Sequence, residues 1–333
     1  MPTVWHEQDG WAGWTHVPAS PPSRPLSVRL FMLQCDDPNM LAVVMGLCAA
    51  FAWGIADILT RFTGRMLGSQ GSLLAAMSTS LAAVSLWLVL AEERGPWPIS
   101  GYTLLSCSLA ALATLLLYEA MRRGPLSLAS PAVSSYPAWA ALFSWLLLDV
   151  VPSGWGWGAI AMTMAGVFLL AHATPDPEQH DSPAHDRLTL PLALMAGLLY
   201  GAAVTLSQNF ALPQDGMIRL LWWGRVLGIG LALPLLLWGP RPPRPSWRGV
   251  GLAGLQGGLD AAGLVAVVLA GQGMDGTIAL VVSSSFTVVT VGLARIVFRE
   301  KITPGQGLGI LLVCSGIAIL GIVSASGPAG GSP

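Results

Sequence analysis

Residues 40–62 read MLAVVMGLCAAFAWGIADILTRF, an apolar run interrupted by one acid, Asp57, and closed by Arg61. As a helix rising ~1.5 Å per residue, it is long enough to cross a hydrocarbon core of ~30 Å. An extended chain would leave its amides without partners in lipid, so the run reads as a membrane helix. Runs of the same kind follow at 72–91, 102–121, 126–148, 153–171, 190–210, 217–238, 250–270, 277–297 and 307–323. Composition agrees with that reading. Of the 333 residues 53% are hydrophobic and 10% charged, against ~25% charged in a soluble domain that must keep its surface hydrated. Most connections are short, so consecutive helices should be antiparallel neighbours.

The longest internal connection, 172–188, carries Asp176, Glu178, His180, Asp181, His185 and Asp186 among prolines. It reads as a solvated linker, with a His/Asp metal patch as the sharper alternative. It divides the chain into 40–171 and 189–325, each with five apolar runs. The halves share local patterns. Ala52-Trp53-Gly54 in the first run matches Leu199-Tyr200-Gly201 in the sixth. Val133-Ser134-Ser135-Tyr136 matches Ser283-Ser284-Ser285-Phe286, and the interval from Ala159 to Gly166 equals that from Gly309 to Gly316. A repeat with an odd number of spans must place its copies in opposite orientation. The expected fold is therefore all-α and integral to the membrane, with ten transmembrane helices in two inverted five-helix repeats. Residues 1–39, with a proline cluster and no apolar leader core, and 326–333 read as disordered; Met32 and Met40 are alternative starts.

In order and spacing, Trp53-Gly54, the stretch Ala120-Met121-Arg122-Arg123-Gly124-Pro125-Leu126-Ser127 leading to Pro131, Pro137, and Glu300-Lys301-Ile302-Thr303 before Gly309 and Gly316 resemble the drug/metabolite transporter superfamily, specifically its ten-helix EamA-type branch. The resemblance covers about 40–325. It departs at Val150, which stands where the second half has Glu300, and at Thr287, where a helix-bending proline would fall. It implies a secondary active transporter of a small metabolite by alternating access, with proton-coupled efflux as the leading form. An uptake or facilitated carrier of the same fold is the alternative, and a membrane-embedded enzyme is the alternative of another class. Against the enzyme, the runs hold no HExxH or GxSxG pattern. No Walker A sequence, cofactor motif or metal-ligand spacing occurs, and the four cysteines imply no disulfide framework. A net charge of −1 without a basic cluster excludes a nucleic-acid partner. The expected partners are a small-molecule substrate, the lipid bilayer and a coupling proton, with the chain a monomer or homodimer.

Lys301 is the only lysine among sixteen Lys and Arg residues, a usage associated with GC-rich bacterial genomes, so the expected location is the bacterial inner membrane. Basic residues mark cytoplasmic loops. They gather after the odd-numbered runs, at Arg65, Arg122, Arg123, Arg187, Arg241, Arg244, Arg248, Arg299 and Lys301. This bias puts those loops inside and both termini outside, whereas the resemblance implies both termini inside.

Charges within the bilayer are costly and need a partner or a role. Asp260 lies near the middle of its run and reads as a coupling or substrate site, or else as a buried carboxyl bonded to a neighbouring helix. Arg225, beside Trp222 and Trp223, lies at a similar depth and either pairs with Asp260 or snorkels to the interface. Asp57 with Arg61, and Glu119 with Arg123, have the i,i+4 spacing of local ion pairs, although Asp57 is deep enough to face a cavity. Trp53, Tyr136, Tyr200 and Gln256 are candidate cavity residues, because aromatic walls with a few polar groups suit a small organic solute. Interfacial anchoring is the alternative for the aromatic ones.

Overall fold

The computed structural model describes residues 38–90, 99–172, 188–238, 246–271, 282–283, 285–300 and 302–326. The N-terminal extension before residue 38, the linker 173–187, the tail after 326, and Ser284, Arg187, Arg241, Arg244 and Lys301 lie outside them. Every regular element among the described residues is a helix: α1 (Pro38–Leu90), α2 (Gly101–Arg123), α3 (Leu126–Val133), α4 (Tyr136–Leu148), α5 (Gly154–His172), α6 (Thr189–Leu206), a π-turn (Ser207–Ala211), α7 (Leu212–Asp215), α8 (Met217–Trp238), α9 (Trp247–Gly271), α10 (Phe286–Val297) and α11 (Pro304–Ser326). By length and composition six stretches among the described residues can cross a membrane, and Gly154–Leu170 and Phe286–Val297 are shorter apolar helices.

Three departures from ten plain rods have identifiable causes. First, the runs at 40–62 and 72–91 are not joined by a loop: α1 passes through both and bends at Gly68, whose φ of 74° and ψ of 163° belong to a region essentially restricted to glycine. Gly216, between α7 and α8, adopts nearly the same pair, φ 81° and ψ 162°. Second, the run at 126–148 is broken into α3 and α4 at Ser134-Ser135. Pro137 has no N–H to continue the ladder, and the serine hydroxyls add bonds to the last turn of α3, Ser134 Oγ donating to Ser130 O at 2.8 Å and Ser135 Oγ to Ala132 O at 2.7 Å. The other half breaks likewise without a proline: Ser285 Oγ donates to Val282 O at 2.7 Å, and Thr287, in the place of proline, shares a 2.6 Å hydroxyl contact with Ser134. Third, the run at 190–210 ends in the π-turn, a rare geometry frequent at functional sites.

Helices approach closely where side chains are small, as membrane packing requires. A methyl group on Gly166 would meet Gly309 O, and one on Gly316 would meet Thr163 and Ala159 O, which seats α11 on α5. Gly54 lies against Val289 and Gly201 against Trp139, seating α1 on α10 and α6 on α4. The core between these contacts is rich in alanine, with Ala120, Ala129, Ala132, Ala193 and Ala294 fully buried around Met121 and Leu126.

The two ends of the bundle can be followed from such contacts. At the first end, Gly64 lies against Arg122, Gly124 against Thr189 and Gly249 against Leu67, gathering the Gly68 bend, the end of α2 and the starts of α6 and α9. At the second end, the segment closing with Gly216 meets the start of α2, where Tyr102 stacks on Phe210 with ring centroids 4.9 Å apart.

Candidate transport site

Asp260 on α9 and Arg225 on α8 form an ion pair, Arg225 Nη2 donating to Asp260 Oδ2 at 2.7 Å. Ser80, on the second arm of α1, closes a triangle: its hydroxyl donates to Asp260 Oδ2 at 3.2 Å and accepts from Arg225 Nε at 3.1 Å. The Asp260 side chain keeps 29% of its surface exposed and that of Arg225 12%. Trp53 reaches the same place, its indole N–H donating to the Asp260 backbone carbonyl at 3.4 Å. Of the two readings of Arg225, the pair is the one formed; its guanidinium does not snorkel away.

Asp57 does not pair with Arg61, and here the sequence expectation is corrected. Its Oδ2 accepts from Thr290 Oγ1 on α10 at 2.8 Å and Ser130 Oγ on α3 at 3.2 Å. Arg61 turns instead to Glu300, with which it forms a buried ion pair, its guanidinium also lying over the Phe298 ring at 4.3 Å. Glu300 further accepts Leu126 N at 3.1 Å and Ser127 N at 3.0 Å. A carboxylate thus satisfies the orphan amides at the start of α3, where the helix dipole favours negative charge. The pair wins over the i,i+4 contact because it adds these amides to the Coulomb attraction. The second local pair is as expected: Glu119 binds Arg123, and Arg122 at 2.6 and 2.9 Å.

The aromatic candidates meet crosswise. Trp53 packs edge-on against Phe286, centroids 6.1 Å apart, and Tyr200 lies against Tyr136 at 6.2 Å. Tyr200 OH also contacts Thr114 Oγ1 at 2.7 Å. Gln256 takes a different place, fully buried in a knot of hydroxyls: its amide donates to Thr60 Oγ1 at 2.9 Å and Tyr118 OH at 2.6 Å and accepts from Thr63 at 2.9 Å. Those bonds use its polar atoms to tie α9 to α1 and α2. Three site residues were missed in the sequence, Ser80, Ser130 and Thr290. The signal for the first was the polar triplet Ser78-Thr79-Ser80 inside an apolar run.

The model of the EamA-like transporter family matches residues 40–171 and again 187–322. The chain belongs to the EamA-like transporter family. It is accordingly a multi-pass membrane protein of a transporter family, and both family matches contribute to the site, Asp57 and Trp53 from one and Arg225 and Asp260 from the other. A curated relative, the uncharacterized transporter sll1319 of Synechocystis sp., is 26% identical over 216 residues, 63% of this chain. The match spans 63% of that relative's length. A crystal structure of another protein superposes with a TM-score of 0.54 at 16% identity, covering 84% of this chain and 95% of that one, a likeness of fold alone.

Proposed function

We propose that this family member is a secondary transporter of a small metabolite, working by alternating access through ten membrane helices in two inverted five-helix repeats and exporting its cargo in exchange for protons that enter down their gradient across the bacterial inner membrane. Exchanging the halves supports the repeat, because it carries contact onto contact. Trp53 and Gly54 meet Phe286 and Val289 as Tyr200 and Gly201 meet Tyr136 and Trp139. The bends at Gly68 and Gly216 correspond too, as do the helix breaks at Ser135 and Ser285. Discontinuous helices beside a mid-membrane site are what such transporters use to hold a solute.

The observation that carries the reading is the Arg225–Asp260–Ser80 triangle. An ionised carboxylate inside a bilayer needs a counter-charge, and Arg225 supplies it in the present arrangement. When the helices rearrange and the pair opens, a proton takes that place, which couples the gradient to the movement. In proteoliposomes, Asp260→Asn should insert normally, lose transport driven by a pH gradient and retain exchange of substrate without one. Arg225→Ala, leaving the carboxylate without its cation, should also impair gradient-driven transport. Normal gradient-driven transport by Asp260→Asn removes the coupling role.

A further inference from the structure

We propose that Tyr118 on α2 is the second partner of Asp260: when the Arg225 pair opens, the Tyr118 hydroxyl donates to the Asp260 carboxylate and positions it for the coupling proton. The inference rests on the transport reading and names a further positioning residue for its coupling step.

The argument turns on where the protons of the polar cluster go. The two amide protons of Gln256 go to Thr60 Oγ1 and to Tyr118 OH. An amide nitrogen has no lone pair to accept with, so Tyr118 is the acceptor in that bond and its own O–H is left over. The phenol is buried, and among the described residues no acceptor takes its proton. Asp260 has the complementary surplus. Arg225 and Ser80 both bond Oδ2, and Oδ1 accepts nothing among the described residues. Gln256 and Asp260 are four apart on α9 and so are neighbours on one helix face. The amide that fixes the phenol therefore lies one turn from the carboxylate, and Tyr118 is near enough to feel its charge.

The neighbouring donors are already engaged. Tyr200 on α6 also feels the Asp260 charge, but its hydroxyl faces Thr114 Oγ1, and Thr114 sends its one proton to Ala110 O at 2.8 Å. Tyr200 must therefore be the donor to Thr114, and its proton is used. The Trp53 N–H goes to the Asp260 carbonyl and that of Trp222 to Ser85 Oγ at 3.0 Å. The other titratable groups facing the pair, among the described residues, are Asp57 on α1 and Cys107 on α2. An ionised carboxylate has no proton to give, and the thiol donates to Leu220 O at 3.3 Å. Tyr118 is left as the donor available once Arg225 withdraws. A phenol donating to the carboxylate favours its ionised form, so a proton taken up there can also leave.

The test uses the full chain in lipid nanodiscs and follows the Asp260 carboxyl by infrared difference spectroscopy as the pH is varied, its band being assigned by its loss in Asp260→Asn. In Arg225→Ala the pair cannot form. Adding Tyr118→Phe there should raise the midpoint of the carboxyl titration by about one pH unit, because the lost bond favoured the ionised form. Tyr200→Phe in the same background should move it little, and so should Tyr118→Phe with Arg225 in place. If Arg225→Ala does not fold, Arg225→Met, nearer to arginine in size, replaces it as the background. A midpoint that Tyr118→Phe leaves unmoved without Arg225, or that Tyr200→Phe moves as far, overturns the inference. The expected shift together with normal gradient-driven transport by Asp260→Asn upholds the Tyr118 contact and overturns the coupling reading. Loss of that transport in Asp260→Asn without the Tyr118 shift does the reverse.

Discussion

Both ends of the bundle turn through a glycine of nearly the same dihedrals, and both place a carboxylate at the start of a helix, yet the two are secured very differently. At the first end Glu300 is buried, accepts two backbone amides of α3 and is neutralised by Arg61. At the second, Asp215 accepts the Ser100 amide at 2.8 Å and the hydroxyls of Ser100 and Thr103 at 2.7 and 2.5 Å. It thereby reinforces the start of α2, whose own N-cap is Ser100, the Ser100 hydroxyl oxygen accepting the Thr103 amide at 3.3 Å. The first closure costs desolvation of two charges and holds only while both are present. The second is a polar cap, and losing it exposes α2 to fraying and little else. The position matching Glu300 in the other half holds Val150, exposed on the surface, so the strong closure has no counterpart across the repeat. Geometry of the turn is shared between the ends, and strength is not.

The largest effect should come from Arg61→Met. It leaves Glu300 buried without its counter-charge, which costs about 3–5 kcal/mol, measured by thermal or denaturant unfolding in detergent. Adding Glu300→Gln keeps an acceptor for the α3 amides and should restore more than half of that loss; a double variant as unstable as the single one breaks the account. Next in size, Gly68→Ala and Gly216→Ala should cost about 1–3 kcal/mol each, because neither φ suits an L side chain. The two losses should be equal within error, and a large inequality would mean that the turns are not alike. Asp215→Ala should cost about 1–2 kcal/mol and speed amide exchange at Gly101–Thr103 while leaving Leu126 and Ser127 protected. The smallest perturbation asks which end faces inward. Arg248→Cys, in a chain freed of its native cysteines, should leave stability unchanged and resist an impermeant thiol reagent in intact cells. Ready labelling would place the Glu300 closure on the outside.

How legible these features were depended on the range of the interaction. The run at 217–238 ends where its helix ends, because apolar length alone sets that boundary. The break in 126–148 was announced by Pro137. The corresponding break was hidden, since hydroxyls at Ser285 and Thr287 do locally what an imino acid does elsewhere. Asp57 and Arg61 misled, because a partner four residues along is visible in a sequence and one 239 residues away is not. Arg225 and Asp260 were matched by depth, a quantity that antiparallel spans make readable. Ser80 completes their triangle from an arm of α1 whose angle is fixed at Gly68, and no spacing rule reports that angle.

The contact between Ser134 and Thr287 constrains how the chain can diverge. The two residues sit at the two helix breaks, one from each family match, and both are buried, their hydroxyl oxygens 2.6 Å apart. Ser134 spends its one proton on Ser130 O, so Thr287 donates between them, and removing the Ser134 hydroxyl costs Thr287 that acceptor at about 1–3 kcal/mol. A proline at 287 would make the second break resemble the first and in the same step delete the group that Ser134 contacts. The constraint therefore runs one way: among descendants of this sequence, a hydroxyl lost at 134 should travel with an apolar change at 287, whereas a hydroxyl lost at 287 leaves Ser134 bonded to Ser130 O.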